Sequence, residues 1–329
     1  SSDLVAFAVA DGHGDPTCMR SNRGAGFAVD AAIEVLEWLS ASMVGATDDV
    51  AREEAVAQAK DRIVSRWNAL VEEDLALCPL GEDELSLLVQ RGVQDRPLHA
   101  YGTTLVAGVL VGTTWVFVQQ GDGLCLLVRE DGSIDAPMPK DSACVGNVTT
   151  SMAGWHVADQ MRHAFVDDAT SSVVAVFLSS DGVDKSFVGA SELSEFMLRL
   201  LVWGQGRSEA ELDEGLEGVL AQLSANGSGD DCSLAGAMRL DLGSVVRDRL
   251  EQRRQWHETT SQLAQAQAKL VSMRRKHDRL EELWLAGKVV EAARYPSYHE
   301  AYERLQGVVA TCEEQLASFD DVELGPSIG

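Results

Sequence analysis

Residues 7–25 read FAVADGHGDPTCMRSNRGA. An apolar run stops at Asp11, Gly12-His13-Gly14 follows, and Arg20 and Arg23 flank Ser21 and Asn22 just before a helical pattern. Leu4–Ala10 has the composition of a strand, which places Asp11 just past a strand end. The glycines let the backbone turn sharply and expose its carbonyls. Asp-Gly is equally a common hairpin turn, so the stretch alone decides nothing. Three further acidic positions share its setting: Asp122 in QQGDGLCLL, Asp181 in FLSSDGVDKS, and Asp230 with Asp231 in GSGDDCSLAG. Each lies at the edge of a strand-like run. Carboxylates that converge from several strand ends repel one another unless a cation compensates them. Hard oxygen ligands of this kind suit Mg²⁺ or Mn²⁺. The bland alternative makes every one of them a turn residue, and each added aspartate weakens it.

Bulk properties agree with a metal-using enzyme. The chain of 329 residues is long enough for one large core or two modest ones. A hydrophobic share of 45% with 24% charged residues is that of a globular protein, and no apolar run could span a bilayer. The net charge of −25 disfavours nucleic acid and anionic membranes as partners. No signal-like segment opens the chain, and the six cysteines lack CxxC spacing. A reducing, cytoplasmic setting is therefore expected.

The texture of the chain changes near residue 242. Before it, the strand-like runs Leu4–Ala10, Thr103–Val111, Thr114–Gln120, Leu124–Val128, Val173–Ser179 and Cys232–Leu240 alternate with turn signals. Helical patterns cover Gly24–Ala41, Asp48–Leu75, Ser191–Trp203 and Ser208–Leu223. The short turn between Val111 and Trp115 joins adjacent strands directly, so at least part of the sheet is antiparallel. Beyond Leu242, apolar residues at Val246, Leu250, Leu263, Leu270, Met273, Leu280 and Leu283 predict a long amphipathic helix over 244–285. Ala301–Ala317 resumes the pattern, which predicts a helical hairpin, separable from the first domain. The expected domains are 1–242 and 243–329.

In the order VADGHG, YGTTLVAG, GDG, SSDGV, GDDCSL, the sequence resembles the type 2C metal-dependent protein Ser/Thr phosphatases, in particular their bacterial branch, over about residues 4–240. The resemblance implies an α+β fold: a four-layer α-β-β-α sandwich of two antiparallel sheets flanked by helices, here with the C-terminal helical hairpin added. It implies two Mn²⁺ or Mg²⁺ ions, with Asp11 bridging both, the Gly12 carbonyl on one, and Asp181 and Asp230 on the other. Asp122, with the Asp181 position, resembles the holder of a third, weaker ion. His13 resembles the general acid that protonates the leaving Ser or Thr alkoxide. Arg20 and Arg23 are candidates for the substrate phosphate, their guanidinium forks suiting its oxygens. Solvated arginines opening a helix would read the same way.

The departures from the family are specific. Relatives carry an upstream strand with a phosphate-binding Arg and acidic partners of the metals, and only ten residues precede Asp11 here, so that strand is expected to be missing. GDGL stands where the family has GDSR, and Asp231 where it usually has Asn. Asp141–Arg162 falls where the family has a mobile flap. The implied activity is hydrolysis of phosphoserine and phosphothreonine in proteins, countering a bacterial Ser/Thr kinase. The alternative is a catalytically weak or inactive phosphatase-fold module whose C-terminal helices hold a partner or self-associate.

Overall fold

In the computed structural model, which describes residues 4–44, 48–139, 141, 149–170, 172–290 and 292–319, the chain forms two compact units. The first comprises Ser1–Glu130, Ile134–Phe187 and Gly204–Asp241. Its strands are β1 (Val5–Val9), β2 (Leu105–Val111), β3 (Thr114–Gln120), β4 (Leu124–Arg129), β5 (Ile134–Asp135), β6 (Arg162–Asp167), β7 (Val173–Ser179) and β8 (Leu234–Met238). They pair in two sheets, β1-β2-β3-β6 and β5-β4-β7-β8, antiparallel throughout.

The period of two along each strand sorts the side chains into layers. On β2, Leu105, Ala107 and Val109 join the core under the helices, while Val106 joins the core between the sheets. Val116 and Val118 of β3 likewise face the helices, and Trp115 and Phe117 face the second sheet with Cys125, Leu127, Val176 and Leu178. Gly108 pairs with Phe117 in register, and a Cβ at Gly108 would lie 2.7 Å from the Phe117 ring. The missing side chain is what admits that ring.

Two long helices, α1 (Ser21–Met43) and α2 (Asp49–Leu77), cover the first sheet. Their buried positions, such as Ala28, Ala32, Val35 and Leu39 on α1, recur at three- and four-residue spacing. Trp67 of α2 is wholly buried and donates its indole N–H to the Gly24 carbonyl at 2.9 Å. A short helix α3 (Glu82–Gln90) follows, begun by the Glu84 carboxylate accepting from the Gly81 N–H at 2.8 Å. Further on come the single turns α4 (Val157–Gln160) and α5 (Asp181–Asp184). Thus two four-stranded antiparallel sheets flanked by helices, with C-terminal helices, form the architecture that the resemblance implies. The sequence reading lacked α3, β5 and β6. Of the segment read as a flap, residues 142–148 lie outside the described residues, and Arg162 begins β6.

The second unit comprises Asp131–Ser133, Val188–Trp203 and Leu242–Gly329. It holds α6 (Ala190–Gly204) up to Trp203, then α8 (Ser244–Leu285) and α9 (Tyr295–Ala317), while α7 (Glu209–Leu223) belongs to the first unit. Leu263, Ala266, Leu270, Met273, His277 and Leu280 are among the shielded positions in the C-terminal half of α8 and follow alternating three- and four-residue steps. That is the seam of a two-helix coiled coil with α9. α6 is tied to α8 by Arg254, which reaches Glu195 at 2.8 Å, and by Ser261 bonded to Glu192 at 3.0 Å. The sequence division at Leu242 leaves α6 with the first domain, whereas the structure groups it with α8 and α9.

Candidate active site

Asp11 follows β1 and is pinned from β2's side of the sheet. Its N–H donates to Thr104 Oγ1 at 3.1 Å, and its carbonyl accepts from the Thr104 N–H and from Thr103 Oγ1, each at 2.8 Å. The His13 N–H donates to the Gly102 carbonyl at 3.0 Å. These bonds bracket the bridge between Gly12 and Thr103, so Gly12's own carbonyl lies outside the ladder. A Cβ at Gly102 would lie 2.9 Å from the His13 ring, which is how the imidazole comes to rest against bare backbone.

Asp181 opens α5 directly after β7, and Asp230 precedes β8. Ser180 ties these two strand ends together. Its N–H donates to the Ser233 carbonyl at 3.0 Å, its hydroxyl donates to the Asp231 carbonyl at 3.1 Å, and the same oxygen accepts from the Ser233 N–H at 3.0 Å. Asp122 lies in the turn between β3 and β4. There a Cβ at Gly123 would approach the Ser179 carbonyl to 2.7 Å, so the glycine standing where the family has Ser suits the close pairing of β4 with β7.

Asp11, Gly12, His13, Asp122, Asp181 and Asp230 thereby line a single cleft of about 640 Å³. Burial and then the charges of Asp181, Asp230, Asp231 and Asp122 push the Asp11 carboxyl up to about 7. All the candidate ligands are hard oxygens, a donor set that fits a divalent cation such as Mg²⁺ or Mn²⁺. Burial pushes His13 below the usual imidazole range, against an opposing pull from Asp122.

Two basic residues missed by the sequence reading belong to the same cleft. Lys185, four residues after Asp181, places Nζ 2.6 Å from Asp181 Oδ2 and 3.5 Å from Asp230 Oδ2. Asp181 holds its ammonium above the ordinary lysine range. Arg96 lines the cleft near His99; its guanidinium lies over the Trp155 ring, 4.6 Å from the centroid, and donates to the Ala153 carbonyl. Its signal in the sequence was only a basic residue before a proline. Lys185 was findable as the i+4 partner of Asp181.

Arg20 is placed elsewhere. Its guanidinium is buried and donates to Glu84 at 2.8 and 2.7 Å, to the carbonyls of Cys78 and Pro79, and to Tyr101 Oη at 2.8 Å. Every N–H is engaged in joining the start of α1 to α3 and the Tyr101 ring, and none faces the aspartates, which corrects the expectation that Arg20 reaches substrate phosphate. Arg23 pairs with Asp74 of α2, whose other carboxylate oxygen accepts from Tyr101 Oη. These arginines are the fastening of the helical layer.

The chain is thus an α+β protein of two antiparallel sheets with an acidic cleft at its strand ends. Residues 1–221 match the family described as Protein phosphatase 2C, and the chain belongs to that family. No curated protein matches it. Among solved structures it is similar to PppA, described as a key regulatory component of T6SS in Pseudomonas aeruginosa, at 18% identity over 70% of this chain and 84% of that one, with a TM-score of 0.40. It is also similar to the catalytic domain of the serine threonine protein phosphatase PstP in complex with two manganese ions, at 16% identity over 72% and 88%, with a TM-score of 0.43. The Mycobacterium tuberculosis phosphatase PstP/Ppp gives 16% identity over 73% and 88%, with a TM-score of 0.39. Family membership rests on the family match, not on these distant likenesses.

Proposed function

We propose that the chain is a metal-dependent phosphatase that hydrolyses phosphoserine and phosphothreonine in proteins, opposing a bacterial Ser/Thr kinase. The observation that carries this reading is the convergence of Asp11, Asp122, Asp181 and Asp230 from separate strand ends on a cleft that also holds His13. In this proposal Asp11, the Gly12 carbonyl, Asp181 and Asp230 would hold two Mn²⁺ or Mg²⁺ ions, and Asp122 would contribute to a third, weaker position. Ions bound there would supply Lewis acidity and an activated water. His13 donates the proton that the leaving alkoxide needs. Burial favours its neutral ring in the free protein, and an arriving phosphate dianion favours the charged form. Arg96, which lines the cleft, would orient the phosphoryl oxygens. Among the described residues no helix is long and apolar enough to cross a membrane.

One observation favours the second reading, a weak or inactive module. The Lys185 ammonium occupies the company of Asp181 and Asp230 that a metal would need. Hydrolysis of p-nitrophenyl phosphate and of phosphopeptides with Mn²⁺, Mg²⁺ and chelator decides between them. Turnover that survives excess chelator, or that Asp11→Asn leaves intact, would remove the two-metal assignment. His13→Ala is expected to slow phosphopeptide hydrolysis about 10²–10⁴-fold and p-nitrophenyl phosphate far less, because that leaving group needs little protonation.

A further inference from the structure

The hairpin of α8 and α9 carries a second group of ligating side chains, within one unit and separate from the phosphatase cleft. His277 occupies a seam position of α8 and is 6% exposed. One ligand atom each from His277, Asp278 and Glu281 lie within 4.8 Å of one another. His277 Nε2 is 2.9 Å from His299 Nδ1 on α9, and His299 Nε2 is 3.2 Å from Glu303 Oε1. His277 Nδ1 faces Asp278 Oδ1 at 3.5 Å.

Counting protons exposes what this row lacks. It has three contacts, Asp278 to His277, His277 to His299, and His299 to Glu303, and each needs one positive centre between two lone-pair atoms. Two neutral imidazoles carry only two N–H groups. Satisfying the second and third contacts puts the His277 proton on Nε2, donating to His299, and the His299 proton on Nε2, donating to Glu303. The His277 Nδ1 lone pair is then left aimed at a carboxylate. A third proton would close the row, but it makes one ring an imidazolium. A metal ion closes it with both rings neutral, which is the arrangement in which ligating imidazoles are commonly found, the distal N–H held by a second acceptor.

We propose that His277 Nδ1, Asp278 and Glu281 form a Zn²⁺ site on α8, with His299 as its positioning residue from α9. One imidazole and two carboxylates are ligands that zinc accepts, and three protein ligands leave a fourth position for water. Asp278 is 58% exposed in its side chain, so it can swing inward to ligating distance. Tyr295 Oη donates to Glu281 Oε1 at 3.2 Å and steadies the third ligand. The site fastens the two helices through the imidazole pair, so zinc stabilises the hairpin.

The proposed phosphatase site would also take divalent ions, so the test uses the full-length chain carrying Asp11→Asn and Asp181→Asn. Titration with Zn²⁺ is followed by calorimetry and by the ring nitrogen signals of histidine in long-range ¹H–¹⁵N spectra. The expected result is one zinc equivalent whose binding shifts the Nδ1 signal of a single histidine. Adding the surface substitutions Asp278→Asn and Glu281→Gln should abolish that equivalent with helical circular dichroism unchanged. His299→Phe should weaken it about 10–100-fold, the usual loss for an outer partner of a ligating imidazole. Zinc binding that is unaffected by Asp278→Asn with Glu281→Gln overturns the proposal. So do ring signals that respond to acid and not to zinc, since the row would then be closed by a third proton.

Discussion

Lys185 permits a quantitative test of the acidic cleft. Its Nζ lies 2.6 Å from Asp181 Oδ2 and 3.5 Å from Asp230 Oδ2. At those distances the Coulomb attraction is about 1.6 and 1.2 kcal/mol even at the dielectric constant of water. The lysine side chain is 55% exposed and that of Asp230 is 49% exposed, so screening and the ordering of a long side chain reduce each contact to about 1 kcal/mol or less. A divalent ion that takes both carboxylates must release the ammonium, so the two contacts together oppose it by about 1–2 kcal/mol. That corresponds to a roughly 5- to 30-fold weaker Kd, at about 1.4 kcal/mol per decade. Lys185→Met keeps most of the stem and removes the charge. Calorimetric titration of Mn²⁺ into the full chain at fixed pH and ionic strength should show the variant binding tighter by that factor, and the gain should shrink at high salt. Equal Kd values for the two proteins would refute the reasoning, because they would mean that the ammonium leaves the carboxylates without cost.

Proton competition should be visible at Asp11: Mn²⁺ affinity is expected to rise with pH and level off above about 7, as followed by titration across pH 5–8.5. Because the folded carboxyl is raised from 3.8 to about 7, its contribution to stability is complete below 3.8 and is lost as pH climbs through the folded value, so the melting temperature of the chelated protein should fall over that window. Asp11→Asn should flatten the slope. Arg20→Ala should cost about 3–5 kcal/mol in urea unfolding, as loss of one partner of a buried pair does, with KM unchanged in the molecules that remain folded. Arg96→Ala should do the reverse, raising KM and leaving the unfolding midpoint in place; an exchanged pattern would return the phosphate role to Arg20. A chain ended at Leu242 removes the Arg254 and Ser261 partners of α6, so its urea midpoint should drop and dye binding to exposed apolar surface should rise. An unchanged midpoint would show instead that the hairpin is separable, as its sequence pattern alone suggests.

What could be read in advance, and what could not, follows from how far each signal reaches along the chain. β2 and β3 were readable because period-two burial is written into consecutive residues, and the aspartates were readable because each borders such a run. β6 was not. Its RHAFVD is half-buried along most of its length and adjoins a polar segment, so no alternation stands out. Arg20 shows the deeper limit. Next to Arg23 in sequence it reads as one of a pair of phosphate ligands, but its partner Glu84 is 64 positions away on a helix that the pattern did not announce. The same holds for the two histidines of the hairpin, 22 residues apart and joined only once the coiled-coil seam sets their register. Lys185 is the instructive intermediate. Its contact with Asp181 is local, a single turn of helix, and it went unread because a search for metal ligands weighs carboxylates and passes over the cation among them. An acidic site is therefore better read by its charge balance than by its acids, since an ammonium among them decides how much room is left for a metal.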